Sequence, residues 1–404
     1  MFTKAPSSLR ILDLCEFFSD RGGGVRSYLE RMGRAAAARG HELTVVAPGE
    51  RDGSRLQGGM KLVRYRAPAM PYDPTYRAAY RLDEMRRLVA RERPHVLQIS
   101  SPFAPALAAS SMRDVPVRVY VHHSDPIGCY VRPVLRALPS SVGNCIERAA
   151  WSWHRRISRF CDATVVAGTW LETELSSWGC ERVTSVAFGV DRSELGPERR
   201  DPELRARLLG PLADNPDALL VLIAGRLAVD KRQALSIQAL QVVQRARPVA
   251  LVVLGDGPER ERLRQKARGL GHVTFLPFTR DRREFGGILA SVDLLLHAAR
   301  CETFGFVLAE ALASGTPIVV PRAGGAAAMA HTDYAETYAA GADAEAVARA
   351  VHALALRPRE AMARAAIRAS AMLPSLEQHF DDLFAFYARL LASPVEQNVA
   401  LQQQ

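Results

Sequence analysis

Two glutamates eight residues apart, Glu302 and Glu310, lie in a stretch (297–317) where strand, loop, helix and stop are all legible. The segment from about Phe304 to Ser314 is apolar nearly all round, so it is expected to be a buried helix. A carboxylate at Glu310 in its middle is costly unless it is paired or hydrogen-bonded, so a polar ligand is expected there; ion pairs with arginines are the alternative. The open N–H groups at the helix start, around Thr303, Phe304, Gly305 and Phe306, suit an anion, because an uncapped helix N-terminus carries about half a positive charge.

A second set of candidates follows the apolar run Leu219 to Ala224: Gly225, Arg226 and, after a short gap, Lys231. An Arg and a Lys at the C-terminal end of a strand in an open α/β sheet suit a diphosphate, the fork and the point charge playing different parts. Asp230 and Gln233 are expected to form a capping pair for a helix starting at Lys231. Only Lys4, Lys61, Lys231 and Lys266 are lysines in a chain that otherwise uses arginine. A third set is His122 and His123, which end the apolar run Val117 to Val121; strand alternation sends the two imidazoles to opposite faces, and either can be structural.

The elements around these residues read as two α/β domains. Leu9 to Phe17 is expected to be a strand, 19–24 a glycine loop, Val25 to Arg39 a helix stopped by Gly40, and Glu42 to Ala47 a strand. Further strands are expected at His95 to Ile99, Val117 to Val121 and Ala163 to Ala167, with a helix over Arg77 to Glu92. A second series covers Leu219 to Ala224, Ala250 to Leu254, Val273 to Leu276, Val292 to Leu296 and Pro317 to Val320. The Pro-rich stretch between the series reads as a linker, giving domains at 1–192 and 218–372 with a linker at 193–217. Residues 373–404 hold a helical stripe (Phe380, Leu383, Phe384, Tyr387, Leu390) and a frayed end over 398–404. Residues 49–59 and 125–144 read as loops over a cleft.

The 404 residues, 48% apolar and 24% charged, have an ordinary globular composition for two or three cores. The longest apolar runs are strand-length, which excludes a spanning helix. Nothing marks the N-terminus for secretion, so a cytoplasmic location is expected, and six scattered cysteines without metal spacing read as reduced thiols. The net charge is +10. Residues 131–160 hold six arginines against Glu147, and all four tryptophans fall between Trp151 and Trp178. Residues 131–178 are therefore either a solvated helix face or a surface for anionic lipid at the inner membrane face.

Taken together, Glu302-x-Phe-Gly with Glu310 eight residues on, the Ala-x-Ala-x-Gly-x-Pro that follows, and Gly-Arg-Leu with Lys231 resemble the signatures of the family-4 retaining glycosyltransferases. The likeness covers most of the chain, including the glycine loop Gly22-Gly23-Gly24-Val25, the run 163–191 and Gly255-Asp256-Gly257-Pro258. It implies the GT-B fold: two Rossmann-like α/β domains facing a central cleft, with a C-terminal helix crossing back to the N-domain. It further implies an N-terminal acceptor domain and a C-terminal nucleotide-sugar domain. By the same resemblance Arg226 and Lys231 hold the diphosphate, Glu310 the ribose and Glu302 the donor sugar, while Gly24, Gly225 and the backbone of Thr303 to Phe306 complete the donor site. One histidine of relatives stands near the donor sugar; their His-Thr-Asp pattern favours His123, with His122 as the alternative. His297 stands where relatives often carry Ser.

The implied reaction moves a hexose from a nucleotide-diphosphate sugar, GDP-mannose first and UDP-sugars next, to a glycan, lipid or small-molecule hydroxyl. The resemblance carries no cofactor, and no D-x-D metal motif occurs, so leaving-group stabilisation without a metal is expected. A dehydrogenase is disfavoured because Arg260 and Ser27 occupy the third-glycine positions of the two glycine-rich turns. A GT-B sugar-nucleotide 2-epimerase and a non-catalytic scaffold subunit are the remaining alternatives. Nucleic-acid binding lacks a basic and aromatic module.

Overall fold

The structure is a computed structural model describing residues 8–19, 23–70, 76–125, 127–135 and 138–392; the expected glycine at 22 and the end at 398–404 lie outside the described residues. The chain divides into two compact units, one of Met1–Ala187 with Glu377–Gln404 and one of Phe188–Leu376.

The first unit is built on β1 (Arg10–Leu14), β2 (Glu42–Gly49), β3 (Gly53–Gln57), β4 (Met60–Arg66), β5 (Val96–Ile99), β6 (Val117–Val121), β7 (Ala163–Val166) and β8 (Val183–Ser185). The sheet order is β3-β4-β2-β1-β5-β6-β7-β8, parallel except for the antiparallel edge pair β3–β4. The helix Gly24–Ala38 connects β1 to β2 and buries Tyr28, Leu29, Met32, Gly33 and Ala36 on one stripe. Gly40, at φ 72°, ends it in a conformation that a side chain disfavours.

The β3–β4 hairpin corrects the expectation of a loop over 49–59. Gly58 and Gly59 both have positive φ, 57° and 76°, which is the two-residue turn whose twist matches a hairpin. β3 is almost wholly exposed, so it lacks the apolar alternation that marks a strand. Residues 127–135 are helical turns rather than loop, and the helix Ser140–Phe160 already begins within 125–144. The helix Leu376–Ala392 buries His379, Phe380, Leu383, Phe384 and Tyr387.

The second unit has β9 (Leu219–Ala224), β10 (Val249–Leu254), β11 (His272–Leu276), β12 (Leu294–Leu296), β13 (Ile318–Pro321) and β14 (Ala335–Tyr338), in the order β11-β10-β9-β12-β13-β14 and parallel throughout. Such strands are covered on both faces, which is why β9 and β10 read as unbroken apolar runs. The stretch expected as a linker, 193–217, is instead knitted into this unit. Asp201 Oδ1 caps the helix Pro202–Leu209 through the Glu203 and Leu204 N–H groups, at 2.9 and 3.1 Å. Arg205 of that helix pairs with Asp293 at 3.0 Å and donates to the Ser291 carbonyl. Pro197, Pro202 and Pro211 start helical turns rather than loosen the chain.

Candidate active site

In the second unit the site is assembled at the C-terminal ends of β9 and β12. Gly225, at φ 127°, leaves β9, and its N–H donates to the Leu254 carbonyl at 3.0 Å. The two turns press together: a Cβ on Gly255 would lie 2.1 Å from the Gly225 carbonyl oxygen, and one on Gly257 2.2 Å from that of Leu227. Only glycine permits this approach. Arg226 is half-buried, and its carbonyl accepts from Gln233 Nε2 at 2.8 Å. This corrects the expected Asp230/Gln233 cap: a helical turn covers Val229–Lys231, Arg232 turns left-handed at φ 54°, and the long helix starts at Gln233. Gln233 is spent instead on fixing the loop that carries Arg226 and Lys231.

Lys231 Nζ donates to Glu302 Oε2 at 2.9 Å, and His297 Nε2 lies 3.3 Å from the same oxygen. Burial alone would raise the Glu302 pKa, but the Lys231 charge and His297 outweigh it and hold the carboxyl well below the usual range. Glu302 is therefore an ionised acceptor at every physiological pH. His297 is itself fixed, its carbonyl accepting from Tyr338 Oη at 2.7 Å.

The loop bearing Glu302 is clamped from below by Gly324 and Gly325. The Gly325 N–H donates to the Glu302 carbonyl at 2.7 Å. A Cβ on Gly325 would stand 2.3 Å from the Thr303 carbonyl oxygen, and one on Gly324, at φ 57°, 2.6 Å from that of Glu302. Gly305, at φ 83°, turns the chain into the helix Phe306–Ala313, two residues later than expected, so that the first open N–H groups are those from Phe306 onward. Thr303 and Phe304 are buried, and the Phe304 ring packs with Phe306 and Phe188 at centroid distances of 5.1 and 5.7 Å.

Glu310 is buried inside that helix and takes a hydrogen bond from Arg282 Nη1 at 2.7 Å. Arg282 also donates from Nη2 to the Asp191 carbonyl at 3.0 Å. Sequence reasoning missed Arg282, Gly324 and Gly325. The arginine is one of many, at the first position of the helix Arg282–Ser291, and only the fold brings it to a residue 28 positions on. The two adjacent glycines that open the helix Gly324–Ala328 were a readable signal of close backbone approach.

In the first unit the two histidines part as strand alternation requires. His122 is buried against Tyr120 and His154, at ring-centroid distances of 4.3 and 5.5 Å, and burial, with His154 next, depresses its pKa well below the ordinary value. His123 is half-buried; its Nε2 lies 2.9 Å from Ser100 Oγ, and burial followed by the His379 charge lowers its pKa to about 3. Gly24 begins the helix Gly24–Ala38, with Gly23 at φ 116° before it.

In the basic and aromatic segment 131–178 the tryptophans pack within the first unit. Trp151 is buried and stacks on Trp178 at 4.8 Å, Trp153 Nε1 donates to the Pro102 carbonyl at 2.6 Å, and Trp170 packs on the same cluster. Tryptophan here fills the first unit. The outward face of the helix Ser140–Phe160 carries Val142 (46% exposed), Ile146 (41%) and Ala149 beside Arg148, Arg156 and Arg159. Among the described residues no three His, Cys, Asp or Glu side chains gather as metal ligands, and no helix is long and apolar enough to cross a membrane.

Two parallel α/β units with glycine-rich strand ends and a carboxylate–lysine pair define a protein of the GT-B class. Sucrose-phosphate synthase from Thermosynechococcus elongatus superposes over 96% of this chain and all of its own, with a TM-score of 0.75 at 18% identity. The Anabaena Alr3699/HepE structure in complex with UDP and glucose does so over 94% and 99%, with a TM-score of 0.68 at 18% identity. Residues 22–194 match Glycosyltransferase Family 4 and residues 218–356 match Glycosyl transferases group 1. A GDP-mannose-dependent alpha-(1-6)-phosphatidylinositol dimannoside mannosyltransferase of Mycobacterium tuberculosis is 30% identical over 365 residues, 89% of this chain and 91% of its own. A GDP-mannose-dependent alpha-mannosyltransferase of the same species is 31% identical over 326 residues, 78% of this chain and 80% of its own. The chain belongs to the family-4 glycosyltransferases and is a glycosyltransferase.

Proposed function

We propose that this glycosyltransferase transfers mannose from GDP-mannose to a hydroxyl of a lipid-linked acceptor, with retention of anomeric configuration and without a metal ion. The observation that carries the reading is the convergence of Lys231 and Glu302 at 2.9 Å beside the opening turn of the Phe306–Ala313 helix. As the bond between sugar and diphosphate breaks, its electron pair passes to the phosphate oxygen and positive charge grows at the anomeric carbon. Arg226, Lys231 and the helix N–H groups meet the phosphate charge; Glu302 accepts from hydroxyls of the sugar; Glu310 accepts from those of the ribose. The acceptor oxygen attacks from the departing side and gives its proton to the leaving phosphate. His123, kept neutral by burial, is the hydrogen-bonding histidine that the family resemblance assigns to the donor sugar.

GDP-mannose is favoured over UDP-sugars because the relatives matched above are described as GDP-mannose-dependent. A thermal-shift comparison of GDP, UDP and ADP, each with its sugar conjugate, tests the donor: GDP and GDP-mannose raise the melting temperature as RT ln(1 + [L]/Kd), with or without EDTA. A shift with UDP alone, or one that needs magnesium, rejects this donor or the metal-free reading.

The lipid-linked acceptor is supported by the outward face of the Ser140–Phe160 helix, where exposed Val142 and Ile146 lie beside exposed arginines. Apolar side chains flanked by cations match an anionic membrane surface. Flotation with phosphatidylglycerol-containing vesicles should recover the protein, and the Val142→Ser/Ile146→Ser double variant should lose most of that recovery with its melting temperature unchanged. Equal recovery with neutral vesicles rejects the surface.

A further inference from the structure

The first unit holds a run of buried polar side chains that the proposed reaction does not use. Asp13 of β1 has no exposure and stands beside Gln98 of β5 in the sheet register. Tyr387, from the returning C-terminal helix, donates its hydroxyl proton to Gln98 Oε1 at 2.7 Å. Gln98 Nε2 donates to Asp13 Oδ2, and Ser100 Oγ donates to the same oxygen at 2.6 Å. His123 Nε2 is 2.9 Å from Ser100 Oγ.

With the Ser100 hydroxyl donating to Asp13, the hydrogen bonds along this run set the His123 tautomer. A serine hydroxyl has a single proton, and Asp13 Oδ2 takes it. Ser100 Oγ therefore faces His123 as an acceptor, and Nε2 must carry the ring hydrogen. His123 is neutral, so Nδ1 holds the lone pair. A carboxyl proton on Oδ1, which has no hydrogen-bond partner among the described residues, leaves this arrangement intact, whereas one on Oδ2 would turn Ser100 toward His123 as a donor. A second contact fixes the ring plane. His379 Nδ1 lies 2.9 Å from the Ala187 carbonyl, which can only accept, so His379 Nε2 accepts from Tyr28 Oη at 3.0 Å. The Tyr28 ring in turn packs edge-on against His123 at 5.0 Å.

We propose that Asp13, Gln98, Ser100 and Tyr387 are positioning residues that lock His123 as its Nε2–H tautomer, making Nδ1 the ring's hydrogen-bond acceptor for a substrate hydroxyl. The C-terminal helix is then part of the active site's support, because it supplies Tyr387 and His379. The role for Nδ1 rests on His123 being the active-site histidine; the tautomer does not.

The test uses the full chain labelled with 15N at histidine, with the His123 ring signals identified by their loss in His123→Gln. The wild type should show Nε2 protonated and Nδ1 bare. Asp13→Ala removes the acceptor of the Ser100 proton, lets that proton turn to His123 and shifts the tautomer; Asp13→Asn keeps an accepting oxygen and keeps the tautomer. Where Asp13→Ala does not fold, Ser100→Ala makes the same test by removing one oxygen. In step with the tautomer, hydrolytic release of GDP from GDP-mannose should fall about tenfold or more in Ser100→Ala with little change in KM, and be retained in Asp13→Asn. An Nδ1–H wild type, or an unaltered tautomer in folded Asp13→Ala and Ser100→Ala, overturns the proposal. Full GDP release by His123→Ala instead rejects the active-site reading and leaves the tautomer result standing.

Discussion

At the scale of single residues, the second unit pairs each glutamate of the candidate site with a cation. Lys231 and Glu302 hold each other in place, and Arg282 does the same for Glu310 from a different helix. Both carboxylates are thereby held as acceptors without free choice of rotamer, which lowers the reorganisation needed when donor hydroxyls arrive. Lys231→Ala and Glu310→Ala should each fold but lose about a hundredfold or more in turnover, the scale of losing one fixed electrostatic contact. Steady-state rates with far-ultraviolet circular dichroism as the folding check decide it, and near-normal rates in both variants reject the site assignment. Glu302 and Glu310 were legible in the sequence as candidates, one just before an apolar helix and the other inside it. Their partner cations were not equally legible: Lys231 stood out as a rare lysine, whereas Arg282 is chemically anonymous until the chain folds.

At the scale of elements, the loops that present these residues are set by glycines touching backbone. Gly325 is pressed against the Thr303 carbonyl, so Gly325→Ala should displace the glutamate loop, cost about 1–3 kcal/mol of stability and abolish the GDP-induced melting shift. Gly341, with nothing within 4 Å of its would-be Cβ, is the control, and Gly341→Ala should leave both readouts unchanged. Chemical denaturation with and without GDP measures it; equal behaviour of the two variants would show that the clamp is not tight. The Gly-Arg-Leu turn was readable as a motif. The clamp beneath the glutamate loop was written as two adjacent glycines whose meaning depends on a loop some twenty residues earlier in the chain.

For the molecule as a whole, the ionisable groups buried in the first unit make stability depend on pH. Burial raises both Asp13 and Glu16 to about 7, with their hydrogen bonds to Ser100, Gln98 and Ser101 opposing it. The folded state keeps these protons to a higher pH than the unfolded chain, whose values are 3.8 and 4.5. Their stabilising contribution is complete below those values and is lost as pH rises through about 7. Buried His154 and His379, both lowered to about 4, act in the opposite sense, since the unfolded chain protonates them first as pH falls. The informative quantity is therefore a difference. Asp13→Asn should gain on the wild type by up to roughly 4 kcal/mol between pH 4 and pH 8. Urea unfolding at a series of pH values measures this, and parallel curves would reject a buried, proton-holding Asp13.

The sequence by itself determined the two α/β series and most of their strands, because parallel strands covered on both faces must be apolar throughout and need no distant partner to be recognised. It also singled out the candidate site residues, because a glutamate inside an apolar helix and cations at a strand end are anomalies that local chemistry already exposes. The tertiary structure decided what depends on long-range contact. It drew 193–217 into the second unit through Asp201 and Arg205, turned the tryptophans of 151–178 inward, and gave the exposed β3 its pairing to β4. It also joined Tyr387 to Gln98 across 289 residues of chain. A hydrogen bond between side chains that far apart leaves no period, spacing or composition to read, since what specifies it is the sheet and helix that carry its two ends to one place.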